Sequence, residues 1–524
     1  MQKNIQLVLS PKQASDSDFY LPIAARKLKI DENQINHHQI IKKSIDARQK
    51  YVKINLELFI VWNDPDYKCE NKKTLYPNVK NRTSVIIIGS GPAGLFAALT
   101  LIQHEIRPII FERGKSVSER KIDIAELNKN RRLNPESNYC FGEGGAGTFS
   151  DGKLYTRAKK RGNIQQILEI LHRHGADEKI LYETQAHIGT NKLPNIIRKI
   201  RETILNAGGE IHFNAKLTDL LIEKNSVRGI EINNTEQFAA SDVILATGHS
   251  ARDVYHLLHK KNISLEAKTF AAGVRIEHPQ ALIDSIQYHT QEKRSQYLPA
   301  ASYKLKRQVE NRGVYSFCMC PGGFIIPSAT AEGEMLVNGM SPSGRNSPYA
   351  NSGIVVEIRP DDLPEYKKYG ALAGLKFQQD LEALAYNNKG KGQQAPAQRM
   401  ADFVNNKLSA DLPKNSYIPG LISSPLHFWL PEIISSRLKA AFVGFGKSMK
   451  GYLTNHALVV GVESRTSSPV RIPRDAKTLE HTDIKGLYPV GEGSGYAGGI
   501  TSSAIDGVNT AHAIAQKITK QHCL

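Results

Sequence analysis

The sequence predicts an α/β protein built around a Rossmann-type domain that is assembled from separated segments. Three observations predict it: a strand, glycine-rich turn and helix from Ser84, a second such pattern near the carboxyl terminus, and a less regular stretch between them. A nucleotide-binding domain with another domain inserted between its halves explains this order. The predicted units are a small N-terminal α+β module (1–78), the first part of the Rossmann domain (79–255), an inserted α+β substrate or cap domain (256–480) and the C-terminal part of the Rossmann domain (481–524).

The N-terminal module is predicted from alternating hydrophobicity. Residues Ile5–Leu9 alternate as a strand does, and Ser15–Leu28 has the apolar spacing of a helix. The segments His38–Ile41 and Val52–Trp62 alternate again, which predicts two further strands. The charged stretch Lys42–Lys50 is expected to connect them. This order is typical of one helix packed on an antiparallel sheet.

Composition restricts the class of protein. The chain has 524 residues, which exceeds what one hydrophobic core usually organises. No apolar run approaches the roughly 18 residues of a membrane span, and the N-terminus lacks the pattern of a signal peptide. The five cysteines are scattered, which favours a reducing compartment over a disulfide framework. We therefore expect a cytoplasmic protein without a membrane span; its cysteines are Cys69, Cys140, Cys318, Cys320 and Cys523.

The net charge of +18 would attract anions such as nucleic acid or acidic substrates. Lys and Arg are nevertheless spread along the chain, with short clusters at Lys42–Lys43 and Lys159–Arg161. A solvated basic surface is the interpretation that this distribution favours. Nucleic acid is kept as an alternative partner that the sequence does not favour.

The glycine-rich motif after Ser84 predicts a dinucleotide site. The apolar run Val85–Ile88 leads into a G-x-G-x-x-G turn at 89–94, a helix, and a second buried strand that ends at Glu112. The glycines allow a tight turn, close approach to a pyrophosphate and close helix packing, while the helix N-terminus offers free N–H groups. The carboxylate at the end of the second strand is placed to accept from ribose hydroxyls. The predicted contacts are Gly89, Gly91, Pro92, Ala93, Gly94, Glu112 and Arg113.

Three later segments distinguish FAD from NAD(P). Val243–His249 is an apolar strand ending in Ala-Thr-Gly, as in flavoproteins with two dinucleotide folds. Gly486–Gly493 is a strand that leads to a glycine and an acid, and Gly498–Thr501 opens a helix. That helix N-terminus can stabilise the negative charge of a reduced flavin. A plain NAD-dependent dehydrogenase has no use for this second loop, so the sequence predicts one bound FAD.

Five segments make the chain recognisable: GSGPAGLFAAL, FGEGGAGTFSDGKL, ILATGHSARD, GVESRTSSPVRIPRD and YPVGEGSGYAGGITSSAIDGV. They resemble a bacterial family of FAD-dependent dehydrogenases, over essentially the whole chain. More distantly, the chain is similar to the glutathione-reductase-type FAD fold of fumarate-reductase-like and geranylgeranyl-reductase-like enzymes. The family usually has Asp where this chain has Glu492, whose longer side chain is expected to contact a different hydroxyl. Beyond the first motif, the resemblance implies FAD contacts at Gly144, Gly145, Leu217, Thr247, Gly248, Gly491, Glu492, Gly499, Ile500 and Thr501.

Three side chains are candidates for chemistry beside the flavin. Arg465 could clamp a substrate carboxylate or stabilise an enolate, and the alternative is a structural arginine. His249 follows the Ala-Thr-Gly strand and could act as an acid or base, unless it caps or packs a turn; His456 is a weaker candidate of the same kind. Lys153 could place positive charge near the flavin or its phosphates, whereas an ion pair with Asp151 explains it equally well.

The Cys318-Met-Cys320 segment invites a redox or metal interpretation. Residues i and i+2 of a regular strand share a face, and a disulfide between them would be strained. Zinc would need two further ligands at recognisable spacing, so no metal site is predicted. The C-x4-C motif of disulfide reductases is also absent after the first glycine turn. We interpret the segment as one arm of a hairpin closed by Pro321–Gly323.

The function predicted from these features is hydride transfer between FAD and a small, anionic organic substrate, with NAD(P)H as a candidate electron donor. Two alternatives stay open at this point. The basic N-terminal module could hold RNA for a flavin-dependent modification, although it lacks a basic stripe interleaved with aromatic residues. The chain could also be a non-catalytic FAD-binding scaffold whose module docks a protein partner.

Overall fold

A computed structural model describes residues 1–68, 74–155 and 162–522. Two of the five cysteines, Cys69 and Cys523, and the basic cluster Lys159–Arg161 lie outside the described residues. Among the helices within these ranges, none combines the length and the apolar character that crossing a membrane requires.

The N-terminal module is a three-stranded antiparallel sheet with one helix. Strand β1 (Gln2–Leu9) pairs with the central strand β3 (Lys53–Trp62), which also pairs with β2 (Ile35–Asp46). Helix α1 (Ser17–Leu28) begins after Asp16, whose side chain caps it by accepting from a backbone N–H. The interpretation of Lys42–Lys50 as a connector was wrong in its first half, because β2 continues its ladder with β3 as far as Asp46.

The next part of the chain alternates strands and helices, as the first glycine motif predicts. The bounds are β4 (Ser84–Ile88), α2 (Pro92–Gln103), β5 (Arg107–Phe111), α3 (Val117–Asn130), α4 (Ile164–Arg173), α5 (Leu193–Asn206), β6 (Glu210–His212), β7 (Leu217–Glu223), β8 (Ser226–Ile232), β9 (Glu236–Ala239), β10 (Val243–Leu245) and α6 (Arg252–Lys260).

The region that reads as irregular in the sequence contains most of the remaining elements. These are β11 (Glu266–Ala267), β12 (Phe270–Pro279), α7 (Gln280–Tyr288), β13 (Lys306–Val309), β14 (Arg312–Cys320), β15 (Phe324–Pro327), β16 (Val337–Met340), β17 (Tyr349–Ile358), α8 (Ala373–Asn387), β18 (Ala395–Arg399), α9 (Met400–Val404), β19 (Leu421–Ser423), α10 (Leu426–Trp429), α11 (Glu432–Ser448) and β20 (Leu458–Glu463). The chain ends with β21 (Val470–Arg471), β22 (Leu487–Pro489) and α12 (Ile500–His522).

The predicted Rossmann-type fold is confirmed by a parallel five-stranded sheet in the order β22-β10-β4-β5-β6. The C-terminal strand β22 lies beside β10, so distant parts of the sequence complete one sheet. Helices α2 and α12 pack so closely that a side chain at Gly507 would collide with the backbone oxygen of Ala93. The same part of the chain also forms a separate three-stranded antiparallel sheet in the order β7-β8-β9.

The inserted region forms a seven-stranded sheet in the order β13-β14-β17-β12-β20-β18-β19. Strands β12, β17 and β20 are buried along nearly their whole length on both faces. Their sequences therefore do not alternate between apolar and polar residues, which is why the pattern reads as irregular. The apolar face of the N-terminal module joins the same hydrophobic core as this sheet.

The interpretation of Pro321–Gly323 as a hairpin turn was wrong. Strand β14 before it pairs with β17, and β15 after it pairs with β16 in a separate two-stranded sheet. The turn therefore carries the chain from one sheet to another. Gly322 has φ +50° and approaches the backbone of Arg345 so closely that no side chain fits there.

Candidate active site

Three parallel strands end at the same edge of the Rossmann sheet. Leu245, the last residue of β10, pairs with Ile88 at the end of β4 on one side and with Pro489 at the end of β22 on the other. The loops that follow these strands line one cleft with an empty volume of about 1840 Å³, including the part open to solvent. The chain runs from β4 outward to β5, while β10 lies on the other side of β4, so the cleft opens where the strand order reverses. Open α/β sheets bind ligands at such a point.

The first glycine turn shapes one wall of the cleft. Gly89 has φ +101°, and a Cβ there would lie 2.5 Å from the backbone oxygen of Ala246. Gly91 precedes α2, and Pro92 occupies the first helical position, where a missing N–H costs nothing. Together with Ala93, they face the cleft with the N-terminus of α2. Gly94 does not line the cleft; it lets α2 pack against the carbonyl of Gly89.

Glu112 ends β5 as the motif requires, but its carboxylate is already fully engaged. Oε2 accepts hydrogen bonds from the backbone N–H and the hydroxyl of Ser90, at 2.9 and 2.8 Å. Oε1 accepts from the N–H groups of Gly114 and Gly142, at 2.9 and 3.1 Å. A carboxylate offers about four acceptor sites, so these protein groups already use them, although the side chain also lines the cleft. Glu112 instead ties three loops together at the edge of the cleft.

The residues beside Glu112 are charged and mutually paired. Arg113 Nε donates to Glu136 at 2.7 Å and Nη1 donates to Asp253 at 3.0 Å, while its guanidinium lies 4.0 Å from the ring centre of Phe141. Lys216 also donates to Glu136, at 2.8 Å. This end of the cleft therefore presents planar and apolar surfaces, including Leu217, rather than unpaired charge.

The N-terminus of α12 forms a second wall. Gly499 has φ +112°, and a Cβ at Gly248, Gly498 or Gly499 would meet nothing within 4 Å, so these three positions leave open space in the cleft. Thr247, Gly491 and Ile500 also line the cleft.

Two residues expected to contact the cofactor lie just behind the walls of the cleft. The hydroxyl of Thr501 donates to the carbonyl of Leu154, at 2.8 Å. The N–H of Gly144 donates to the carbonyl of Ser90, at 2.9 Å, while its neighbour Gly145 does line the cleft. Both residues therefore support the loops that form the cleft.

His249 is held from both sides. Its Nδ1 lies 3.1 Å from Oε2 of Glu492, and its Nε2 lies 3.2 Å from the backbone oxygen of Arg465. Both neighbours of the ring are hydrogen-bond acceptors, so each ring nitrogen faces a protein group. Glu492 also accepts from the N–H of Gly499. Burial alone would raise the pKa of Glu492, but the hydrogen bonds from His249 and Gly499 hold this pKa below its usual value. The expected role of His249 as a free acid or base does not fit this geometry.

Arg465 lines the cleft, but its guanidinium is occupied by protein carboxylates. It donates to both oxygens of Glu382, at 3.0 and 2.8 Å, to Glu334 at 2.6 Å and to the hydroxyl of Thr330 at 2.7 Å. Arg252 of α6 donates to the same two glutamates. The expectation that Arg465 clamps a substrate is therefore not supported: this arginine joins a buried ion network between the two halves of the protein.

The far side of the cleft is formed by the seven-stranded sheet and Lys153. The Lys153 ammonium lies 3.9 Å from the sulfur of Cys320. Asp151 hydrogen-bonds to Arg345, and the charge of Lys153 also lowers the pKa of Asp151, so both cations stabilise this carboxylate. Cys318 also lines this side, together with Cys140. His456 is exposed and does not line the cleft.

Cys318 lines the cleft but was not among the site residues predicted from the sequence. The i, i+2 rule assumes a regular strand, whereas a register shift between Phe317 and Cys320 turns Cys318 out of the ladder. Cys318 is exposed and Cys320 is buried, so the two thiols are not equivalent. A Pro-Gly-Gly sequence directly after the cysteines is the one signal that could have suggested an irregular strand end.

Comparisons with known proteins identify the family. A model described as "FAD-dependent protein, C-terminal domain-like" matches residues 269–466, and one for pyridine nucleotide-disulphide oxidoreductases matches residues 83–270. A domain of unknown function matches residues 1–60. An uncharacterized protein of Clostridium beijerinckii is 40% identical over 512 residues, which cover 94% of this chain and 95% of the relative. The chain belongs to a family of FAD-dependent proteins.

More distant similarities are weaker. One subunit of the fumarate reductase (CoM/CoB) from Methanothermobacter marburgensis is 27% identical over 190 residues, covering 31% of this chain and 34% of the relative. The solved flavin-dependent brominase Bmp2 has a TM-score of 0.37 and 13% identity, covering 83% of this chain and 80% of that chain. A geranylgeranyl bacteriochlorophyll reductase-like protein of Thermoplasma acidophilum has a TM-score of 0.35 and 12% identity, covering 84% and 80%.

The cleft of this FAD-dependent protein fits the cofactor on two observations of its own. The N-termini of α2 and α12 line the same cleft, and helix N-termini favour negatively charged groups. The backbone at Gly248, Gly498 and Gly499 leaves space that any other residue would fill. An extended anionic cofactor requires both features.

Proposed function

We propose that this FAD-dependent protein is an oxidoreductase that transfers hydride between the flavin and a small, anionic organic substrate. The observation that carries the proposal is one continuous cleft. It is bounded by the N-termini of α2 and α12 on the Rossmann side and by Lys153 and Cys318 on the side of the large sheet. A cofactor held by the first side leaves the second side for a substrate.

Each of the two helix N-termini would bind a different part of the cofactor. The N–H groups at Gly91–Ala93 would bind the diphosphate, and Leu217 and Arg113 would border the adenosine end. The segment Gly498–Ile500 would face the flavin, where the helix dipole favours the negative charge of the reduced state. FAD, when bound, supplies the hydride chemistry.

The residues around the flavin end position and shield it. His249 fixes the carboxylate of Glu492 against Gly499, which holds the loop before α12 in place. Arg465 presents its backbone oxygen to His249 while its side chain binds Glu382. Because these groups are paired with one another, the proton that accompanies hydride transfer must come from elsewhere in the cleft.

NAD(P)H is the electron donor that we propose to test first. Purified protein should show the absorbance of one bound FAD per chain, and anaerobic addition of NADH or NADPH should bleach it. A heat-denatured sample of the same protein, in which released FAD is not reduced at a comparable rate, is the control. If neither nicotinamide reduces the bound flavin, hydride transfer from NAD(P)H is excluded, and an oxidase or a quinone-linked enzyme becomes the better description.

The N-terminal module does not contribute to this cleft. Residues Gln2–Trp62 are absent from its lining, and the apolar face of the module packs into the core of the large sheet. The geometry therefore gives no support to a reaction on RNA held by this module.

A further inference from the structure

The charged residues on the substrate side of the cleft are unevenly paired. Asp151 is buried and accepts from Arg345 at 2.7 and 3.2 Å. Glu463 is buried and accepts from Arg275 Nη1 at 2.9 and 2.8 Å. Each of these carboxylates therefore has an arginine of its own.

Lys153 lies between these pairs without a carboxylate of its own. Across the described residues, no carboxylate oxygen lies within 4.0 Å of its Nζ, which is 3.9 Å from the sulfur of Cys320. The ammonium lines the cleft and is partly withdrawn from solvent. The ammonium helps to lower the pKa of Asp151 and opposes the increase that burial causes in the pKa of Glu463, so it interacts with both carboxylates at longer range. The three cations Lys153, Arg345 and Arg275 thus face two carboxylates, and this excess of positive charge favours an anionic ligand.

Cys318 is turned toward the same region by an unusual backbone conformation. Its φ is +44°, which is uncommon for a residue other than glycine and costs free energy. The bulge between Phe317 and Cys320 imposes this conformation, and Arg275 stabilises it by donating to the carbonyl of Cys318 at 2.8 Å. Bulges re-aim side chains next to active sites. Here the bulge leaves the thiol surrounded by protein but open to the cleft.

We propose that Lys153 and Cys318 form the substrate subsite of the cleft, with the Lys153 ammonium binding a carboxylate of the substrate and the Cys318 thiol lying against the same molecule. The proposal rests on the proposed function and specifies its substrate class, an organic carboxylate. The two positions belong to different parts of the chain, and only the fold brings them to one side of the cleft.

The thiol is suited to hold a proton beside such a ligand. Desolvation by the surrounding protein raises the pKa of Cys318 to about 12, although the positive charges of Lys153 and Arg275 oppose the increase. Cys318 therefore stays protonated at neutral pH and can donate a hydrogen bond to a bound anion. This agrees with a binding group and not with a nucleophilic thiolate.

The first test measures the binding of acetate, fumarate and benzoate to the oxidised holoprotein through changes in flavin absorbance. At least one of these probes should saturate, and Lys153→Met should weaken it by about tenfold or more while the FAD content is unchanged. Lys153→Arg keeps the charge and should retain most of the affinity. The control is Lys304→Met, which removes an exposed lysine that lies over the ring of nearby Tyr155. Failure of all three probes to bind, or equal binding by Lys153→Met, would overturn the proposal.

The second test locates the bound probe. Methyl methanethiosulfonate reacts with the thiolate form of a cysteine, so the test is run at alkaline pH, where the thiolate fraction of Cys318 is larger. The reagent should modify the accessible Cys318 faster than the buried Cys320, as measured by mass spectrometry, and a saturating carboxylate should slow the modification of Cys318 severalfold. Unchanged modification at saturation would place the anion elsewhere and refute the subsite. Both tests use oxidised flavin, so they can succeed even if NAD(P)H fails to reduce it. Failure of the proposed electron donor is thus distinguishable from failure of the subsite.

Discussion

The carboxylate of Glu492 lies 3.1 Å from Nδ1 of His249, and its second oxygen accepts from the N–H of Gly499. One side chain thereby joins the loop after β10 to the N-terminus of α12. The resemblance noted in the sequence implies an Asp at this position, and from it we expected the longer Glu492 to reach a different hydroxyl of the cofactor. In the structure both oxygens of Glu492 contact protein groups instead.

Shortening this side chain should weaken FAD binding. In Glu492→Asp the carboxylate cannot reach both His249 and Gly499, so one polar group loses its partner at a cost of about 1–3 kcal/mol. We expect about a tenfold or greater increase in the dissociation constant for FAD, measured by flavin fluorescence. Glu236→Asp, at an exposed position of β9, is the matched control and should change nothing. An unaltered dissociation constant in Glu492→Asp would show that the contact does not support the site.

A methyl group at Gly499 should obstruct the cleft. Gly499→Ala strains a residue with φ +112° by about 1–2 kcal/mol and places a Cβ in open space at the N-terminus of α12. Less FAD should copurify with this variant. Gly370→Ala also substitutes a glycine with positive φ and open space, but outside the cleft, and should lower stability without lowering FAD content. Equal FAD content in both variants would contradict the assignment of this wall.

Glu382 should contribute strongly to stability, in a pH-dependent way. It lies buried between Arg252 and Arg465, and Glu382→Gln leaves both arginines short of a counterion, which should cost about 3–5 kcal/mol at neutral pH. Burial opposes ionisation, but the two arginines prevail and lower the pKa of Glu382 from 4.5 to about 2. Its contribution is therefore complete above about pH 4.5 and is lost as the pH falls toward 2.

The measurement is denaturant unfolding of wild type and Glu382→Gln at several pH values. The difference between them should be constant near neutral pH and should shrink in acid. Asp380→Asn on the same helix removes a partly exposed pair with Lys376 and should cost about 0.5 kcal/mol or less. A Glu382→Gln difference as small as that of the control would contradict the role of the ion network.

Gly507→Ala should destabilise the protein although alanine is the better helix former. In an exposed helix this change gains about 1 kcal/mol, but at Gly507 the new Cβ collides with the backbone oxygen of Ala93. We expect a net loss of about 1–3 kcal/mol as α12 and α2 are forced apart, measured as a lower melting temperature. Gln516→Ala, at an exposed position of α12, should leave the melting temperature nearly unchanged. A stabilised Gly507→Ala protein would refute the close packing.

Motifs with local causes were predictable from the sequence. The run Val85–Ile88, the glycine turn after it and the helix that follows are specified by residues close together in the chain, and the structure contains each of them. The same holds for the loop Gly491–Glu492 and the helix that begins at Ile500. The seven-stranded sheet was not predictable in detail, because β12 and β20 are buried on both faces and carry no periodic signal.

The roles of individual polar side chains were decided by partners far away in the sequence. The sequence predicted that Arg465 binds the substrate, whereas in the fold its guanidinium pairs with Glu382 and Glu334. Cys318 looked like an ordinary strand residue until the bulge turned it into the cleft.

The sequence by itself determined that this is a Rossmann-type protein that binds FAD, because glycine turns and helix N-termini are local features that act through the backbone. The tertiary structure decided which charges neutralise each other and which remain available. Asp151 hydrogen-bonds to Arg345, far away in the sequence, as well as interacting with the charge of Lys153, two residues along the chain, because a side chain binds the partners that folding brings within reach. The positive charge on the substrate side of the cleft depends on these partners.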